Sequence, residues 1–253
     1  MLKNTKTHLM KHIISSFFPL IIAMSASAQV SKIDTVALMI FDQMSHVIGD
    51  LHSANFTVNI KNDVIDREVG LVSNYSVSEV ILDGPDKMQI HSKGGKGHRG
   101  YWYNGELLVY YSYDENNYVL FDALPTTLQT IDSINSSFGI DFPAADFLYP
   151  SFTNDLIAAS EEIIFNGIKT VEGKECLHII SHSMNSTIQF WISNDAYTLP
   201  VKMLIIDKTK NPSLQYEATF SNWQLNREYP PSIFEFLIPP GAHEVKILPK
   251  SKN

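Results

Sequence analysis

A chain of 253 residues with 27 acidic against 19 basic side chains carries a formal net charge of −8, which argues against nucleic acid or an anionic membrane surface as its main partner. Hydrophobic residues make up 44% and aromatic ones 11%, enough to fill a sizeable core. A single cysteine, Cys176, excludes an internal disulfide, so an exported domain of this kind must rely on that core.

The N-terminus reads as an export signal. Lys3, Lys6 and Lys11 precede the apolar run Ile13 to Met24, and Ala26-Ser27-Ala28 is a small-x-small cleavage pattern, so cleavage is expected between Ala28 and Gln29. The run is shorter than the roughly 20 residues that span a bilayer. No cysteine follows the cleavage point, so no acyl anchor is expected and the mature protein should be soluble, without an integral membrane anchor. The expected organisation is a leader at 1–28, one domain at 29–242 and a flexible tail at 243–253.

The mature chain opens with a helix. Ser31 and Asp34 have capping-box spacing, and Val36, Ile40, Phe41, Met44, Val47, Ile48 and Leu51 recur at three- and four-residue steps on one stripe. From His52 the period becomes alternating. Phe56, Val58 and Ile60 alternate with polar residues, as do Met88 with Ile90 and Tyr216, Ala218 and Phe220. Further strands are expected at Arg67 to Asn74, Val77 to Leu82, Leu107 to Tyr113, Tyr118 to Phe121, Glu162 to Val171, Glu175 to His182, Thr187 to Ser193 and Pro200 to Asp207. The total is about eleven strands joined by short turns, the pattern of an antiparallel meander.

Gly94 to Gly100 (GGKGHRG) looks like a phosphate cradle, but such a loop must lead directly into a helix. Here it leads into Tyr101-Trp102-Tyr103, then Asn104-Gly105, then Leu107 to Tyr111. That is strand, type I′ turn, strand, so the glycine run is expected to be a mobile loop. Helical segments interrupt the strands at mid-chain. After Pro125-Thr126-Thr127, Leu128, Ile131, Ile134 and Phe138 share a face that Gly139 ends; a short piece with Phe147 and a further turn or two at Ser151 to Ser160 follow. Both helical stripes are expected to cover the apolar face of the sheet.

Chemistry is harder to find. His178 and His182 on one strand would lie about 13 Å apart, too far to share an ion. Cys176 sits among apolar strand residues, where a thiol packs and does not react. Neither a G-x-S-x-G elbow nor an H-E-x-x-H pair is present. Acidic pairs such as Glu161-Glu162 and Asp114-Glu115 read as solvated surface, and His98 and Arg99 could reach an anion from the glycine loop. No catalytic residue, metal or cofactor is expected, and the chain is not expected to be an enzyme. What remains is the apolar inventory: Phe190 with Ile192, Met203 with Ile205, and Phe220 on successive strands, with either a filled core or a concave apolar site as the reading.

The stretch Ala54 to Lys93, the run YWYNGELLVYYSYDENNYVLFDALP, the helix leading to DFPAADFLYP, and GKECLHI, QFWIS, TLPVKMLI and FEFLIPPGA resemble, in order and spacing, a family of predicted periplasmic bacterial proteins of undefined function. That family is related to the LolA lipoprotein-carrier superfamily, and the resemblance covers Ile33 to Ala242. It implies a mainly β (α+β) fold: an open, unclosed antiparallel β-barrel wrapping the N-terminal helix and a mid-chain helical lid. It also implies a Gram-negative periplasm and a hydrophobic cavity, which in characterised members takes acyl chains or a lipoprotein. The carrier's lid is latched by an arginine of an early strand; Arg67 is the only arginine in that region here, and its surroundings do not match well enough to carry the role over.

The candidate cavity lining is Ile40, Met44, Phe56, Val58, Leu128 and Ile131, with Phe138, Phe147, Phe190, Ile192, Met203 and Phe220. The expected function is periplasmic binding or carriage of an apolar ligand, a lipid or lipoprotein acyl chain. The alternative is a non-catalytic interaction or envelope-sensor module with a filled core, whose partner is an envelope lipoprotein or another protein.

Overall fold

A computed structural model describes residues 32–143 and 145–250. The expected leader and its Ala28–Gln29 cleavage point lie outside the described residues, as does Ser31. In chain order come β1 (Lys32–Ile33), α1 (Thr35–Gly49), β2 (Ser53–Asp66), β3 (Gly70–Asp83), β4 (Lys87–Gly94), β5 (Gly97–Tyr103), β6 (Leu107–Ser112) and β7 (Asn117–Asp122). Then follow α2 (Thr127–Phe138), a 3-10 turn (Ala145–Leu148), α3 (Phe152–Ala159), β8 (Glu162–Val171), β9 (Lys174–His182) and β10 (Ser186–Ser193). The last elements are β11 (Pro200–Asp207), β12 (Leu214–Leu225), a second 3-10 turn (Pro231–Phe234) and β13 (His243–Glu244). The described residues therefore hold eleven full strands, β2 to β12, and two-residue strands at each end. They fall into two compact units.

The first unit comprises residues 32–49 with Asp146–Leu214. Its strand order is β1-β8-β9-β10-β11, antiparallel except for the short parallel pairing of β1 with β8. The cap of α1 falls on Asp34. Its Oδ1 accepts the Val36 N–H at 2.8 Å and its Oδ2 accepts the Phe165 N–H at 3.3 Å, so one carboxylate satisfies a helix-end donor and a strand donor together. The helix buries Ala37, Ile40, Phe41 and Met44 and packs against α3 and β8. The Phe41 ring meets Phe152 at 5.5 Å and Phe190 at 5.0 Å, both edge-on, and Phe147 stacks on Phe152 at 5.2 Å. These are the separations aromatic quadrupoles favour.

The second unit comprises Asp50–Ala145 with residues 215–250. Its order is β12-β2-β3-β4-β5-β6-β7-β13, antiparallel except for β13 beside β7. Neither strand order closes on itself, so the mainly β, antiparallel and unclosed class read from the sequence is the one found. α2 begins and ends where its sequence signals stand. The Thr126 hydroxyl accepts from the Gln129 N–H at 3.3 Å, and Gly139, at φ 70°, donates its N–H to the Asn135 carbonyl.

Four local expectations are corrected. The two strands expected at Arg67 to Asn74 and Val77 to Leu82 are one, β3, paired with β2 from Ser53↔Asp83 to Asp66↔Gly70; Arg67 lies in the exposed turn between β2 and β3. The glycine run is no loop. Gly94 ends β4, Gly97 and Gly100 lie in β5, and only Gly95 and Lys96 turn the hairpin. A Cβ on Gly94 would strike the backbone of β3 at Tyr75 and Ser76, so glycine is needed there for close approach.

The third correction is at Asn104-Gly105. Only Gly105 is left-handed, at φ 96°, and the loop is three residues, with Asn104 Oδ1 accepting the N–H groups of Glu106 and Leu107. The amide side chain closes the turn that two positive φ values would otherwise have made. Last, of the segment expected as a flexible tail at 243–253, the described residues up to Lys250 are hydrogen-bonded to the domain: His243 and Val245 donate to the Asn116 and Tyr118 carbonyls, and Lys250 donates to the Ser137 carbonyl.

Candidate functional site

The inner face of the second unit changes character from row to row across the sheet. Leu82, Met88, Tyr103, Leu108 and Phe121 are cross-strand neighbours, all apolar or aromatic. Two residues along each strand lie Val80, Ile90, Tyr101, Tyr110 and Val119. Two further along come Ser78, Ser92, Arg99 and Ser112. Because the side-chain period is two, all three rows share one face, which therefore runs from apolar to polar along the strands.

A cavity of about 460 Å³ lies over the polar end, within the size range of small-molecule sites. Ser76, Ser78 and Ser92 line it with Asn62 and Asn74. Arg99, Tyr101, Tyr110 and Tyr216 add longer polar side chains, and Gly95 and Lys96 form part of its edge. Apolar contact comes from Ile60, from Ile140, Phe142 and Pro143 after α2, and from Ile247 of the C-terminal segment. Ser78 donates to the Ser92 hydroxyl at 3.0 Å. Burial pushes the Tyr101 hydroxyl up to about 12, against the pull of the nearby Arg99 charge. It also raises Tyr110, again opposed by Arg99. Both phenols are thus neutral donors across the physiological range.

None of the twelve apolar residues singled out from the sequence lines this cavity. Ile40, Met44, Phe147, Phe190, Ile192 and Met203 are buried in the first unit. Phe56, Val58, Ile131 and Phe220 are buried in the second, with Leu128 and Phe138 half-buried on α2. Phe56 stacks on Trp223 at 4.4 Å, and Phe138 meets Phe121 at 5.0 Å. Apart from Arg99, named above as able to reach an anion, the polar residues of the cavity were missed because inward-facing apolar side chains were the signal sought. Alternation of Asn74, Ser76 and Ser78, and of Ser92 with the arginine strand, was the pattern available.

Elsewhere the reactive side chains are engaged structurally. Cys176 is fully buried and its thiol is pushed up by that burial, which disfavours the thiolate. Among the described residues no three His, Cys, Asp or Glu side chains stand close enough to hold a metal ion. His182 Nδ1 bonds Thr187 Oγ1 at 3.1 Å. His178 stacks on Trp191 at 4.6 Å between Asn166 and Gln189, each 3.0 Å from a ring nitrogen.

Burial lowers the pKa of His178 below its ordinary 6.5, so the unfolded chain takes up this proton more readily than the folded one. The resulting stability is complete above pH 6.5 and is lost as pH falls from there through the folded value. Urea midpoints are expected to drop on acidification below that point, and less steeply in His178→Gln. An equal slope in the variant would remove His178 as a source.

The geometry defines an antiparallel β protein with a partly polar cavity on one sheet face. Residues 37–248 match the model of a family described as predicted periplasmic protein (DUF2092), and the chain belongs to that family. The periplasmic location expected from the sequence is thus the family's own, and no helix among the described residues is long and apolar enough to cross a membrane. No curated protein matches the chain.

Solved structures with a similar fold include an uncharacterized conserved protein from Thermus thermophilus, at 10% identity and TM-score 0.49, covering 83% of this chain and 99% of that one. The Mycobacterium tuberculosis lipoprotein LppX is similar at 14% identity and TM-score 0.49, covering 78% and 98%. A LolA superfamily protein from Nitrosomonas europaea follows at 8% identity and TM-score 0.37, covering 79% and 97%.

Proposed function

We propose that the protein is a non-catalytic periplasmic binding protein that carries a lipid-like ligand in the cavity of its second unit. The observation behind this reading is the inner sheet face itself, which passes from apolar rows to a polar row beneath a cavity of about 460 Å³. Such a surface suits a molecule with one oily and one polar end. Alkyl burial contributes about 0.8 kcal/mol per CH₂, so a short chain against Ile60, Ile140, Phe142 and Ile247 supplies affinity without covalent chemistry. A second reading, an interaction module with a filled core, draws on the Phe41, Phe152 and Phe190 cluster, whose rings occupy one another's space.

The test is uptake of a fluorescent fatty acid by protein purified from periplasm without detergent, with native mass spectrometry of what co-purifies. Binding that falls at least tenfold in Ser92→Phe, at an unchanged melting temperature, is the expected result. A clean apo mass together with no uptake by the unaltered protein would favour the interaction module.

A further inference from the structure

We infer that Arg99, with Lys96 at the rim, forms an oxyanion subsite in this cavity, so that the ligand is an amphiphile ending in a carboxylate or phosphate group. The inference rests on the cavity being a ligand site at all. Arg99 is held in β5 between Ser92 of β4 and Ser112 of β6, so strand pairing on both sides fixes its backbone. Its Nε is buried and has no hydrogen-bond partner, and none of the described residues forms an ion pair with it; the rest of the guanidinium acts on the Tyr101 hydroxyl through a side-chain hydrogen bond. A guanidinium carries five N–H donors and keeps its charge. Buried donors of that kind are ordinarily satisfied, because leaving one unpaired costs its desolvation. An arginine with its Nε unpaired in a cavity wall offers that donor, and its charge, to an acceptor that a ligand can bring.

Of the neighbouring acids, Asp141 and Asp114 hold local hydrogen bonds, while the charges of Asp141, Asp114 and Glu115 are still felt at Tyr101 and Tyr110. Asp141, also in the cavity lining, accepts from Asn135 Nδ2 at 2.6 Å. Asp114 accepts the His98 N–H at 2.7 Å, and Glu115 acts on the site through its influence on Tyr110. Donors converge instead. The Ser92 hydroxyl accepts from Ser78, which leaves its own proton for a further acceptor, and the neutral Tyr101 and Tyr110 phenols stand beside it. Lys96 is exposed in the hairpin turn and adds a second positive charge at the edge. The set is a bidentate cation ringed by hydroxyl donors, the chemistry that recognises a terminal oxyanion.

The experiment is titration calorimetry of the periplasmic protein with three probes: octyl phosphate, octanol and inorganic phosphate. Octyl phosphate is expected to bind at least tenfold more tightly than octanol, as a charge-assisted hydrogen bond implies, and more tightly than inorganic phosphate. Arg99→Gln should bring the octyl phosphate to octanol ratio close to one while octanol binding persists; Arg99→Lys should keep part of the preference. Lys96→Gln, in an exposed turn, should reduce it without affecting folding. Inorganic phosphate binding as tightly as octyl phosphate, and lost in Arg99→Gln, would support the subsite but assign it to a free anion. Octanol binding with no preference for octyl phosphate, or a preference that survives Arg99→Gln, would overturn the subsite and leave the cavity reading intact. Failure of both octyl probes would overturn the cavity reading, and the subsite with it.

Discussion

Phe41→Ala is expected to lower the unfolding free energy of the first unit by about 3–5 kcal/mol, the largest effect of any single truncation considered. Phe41 has no exposed surface, and its ring is the common neighbour of Phe152 on α3 and Phe190 on β10. Removal loses the transfer energy of the ring, two edge-on aromatic contacts and the packing of α1 on the sheet. Helix α1 has only 15 residues and exposes Val36 and Met39 on its other side, so tertiary packing, more than propensity, holds it. Urea denaturation followed through Trp191, which stacks on His178 in the same unit, reads the loss directly. Phe41→Leu keeps most of the volume and should cost far less. A Phe41→Ala loss below about 1 kcal/mol would mean that the neighbouring rings collapse into the space and that the cluster is not tightly interlocked.

Helices and strands with a strict period were legible in the sequence. α2 was legible between its opening at Pro125-Thr126-Thr127 and its end at Gly139, and the structure puts the N-cap on Thr126, because helix-end signals are local. The apolar positions at Phe56, Val58, Phe190 and Met203 were also legible as inward-facing, since alternation depends only on strand geometry. What escaped was β3. Asn74-Tyr75-Ser76 has the composition of a turn, yet it continues a 14-residue strand because β2 pairs with it throughout. Asn74 and Ser76 line the cavity, so the local rule failed where the candidate site lies. Arg99 was read as able to reach an anion, but from a loop, and its place in a strand was hidden for a related reason. Among GGKGHRG it looked like loop charge, and only the pairing of β4, β5 and β6 sets it inward between two serines.

The outer face of the second unit was equally hidden, and it carries the other large effect. Tyr101-Trp102-Tyr103 does not alternate, because both faces of β5 are covered: Trp102, Tyr111 and Tyr118 lie beneath Phe236 of the C-terminal segment, with ring distances of 5.0, 5.4 and 5.6 Å. Around that anchor, Gln89 donates to the Ile233 carbonyl at 2.7 Å and Asn104 donates to Glu235 at 3.1 Å. Further along, Val245 donates to Tyr118 at 2.8 Å and Ile247 reaches the cavity. Phe236→Ala removes a ring that meets all three of these aromatics, and the expected loss is about 3 kcal/mol. Because the backbone hydrogen bonds of His243, Val245 and Lys250 depend on the segment lying in place, their amides should lose exchange protection together, while that of β2 paired with β3 persists. Release of Ile247 would also uncover one wall of the cavity, so a bound acyl probe should dissociate faster in the variant. Protection at Val245 unchanged in Phe236→Ala would show that the β13 pairing with β7 holds the segment without its aromatic anchor, and would separate cavity closure from this contact.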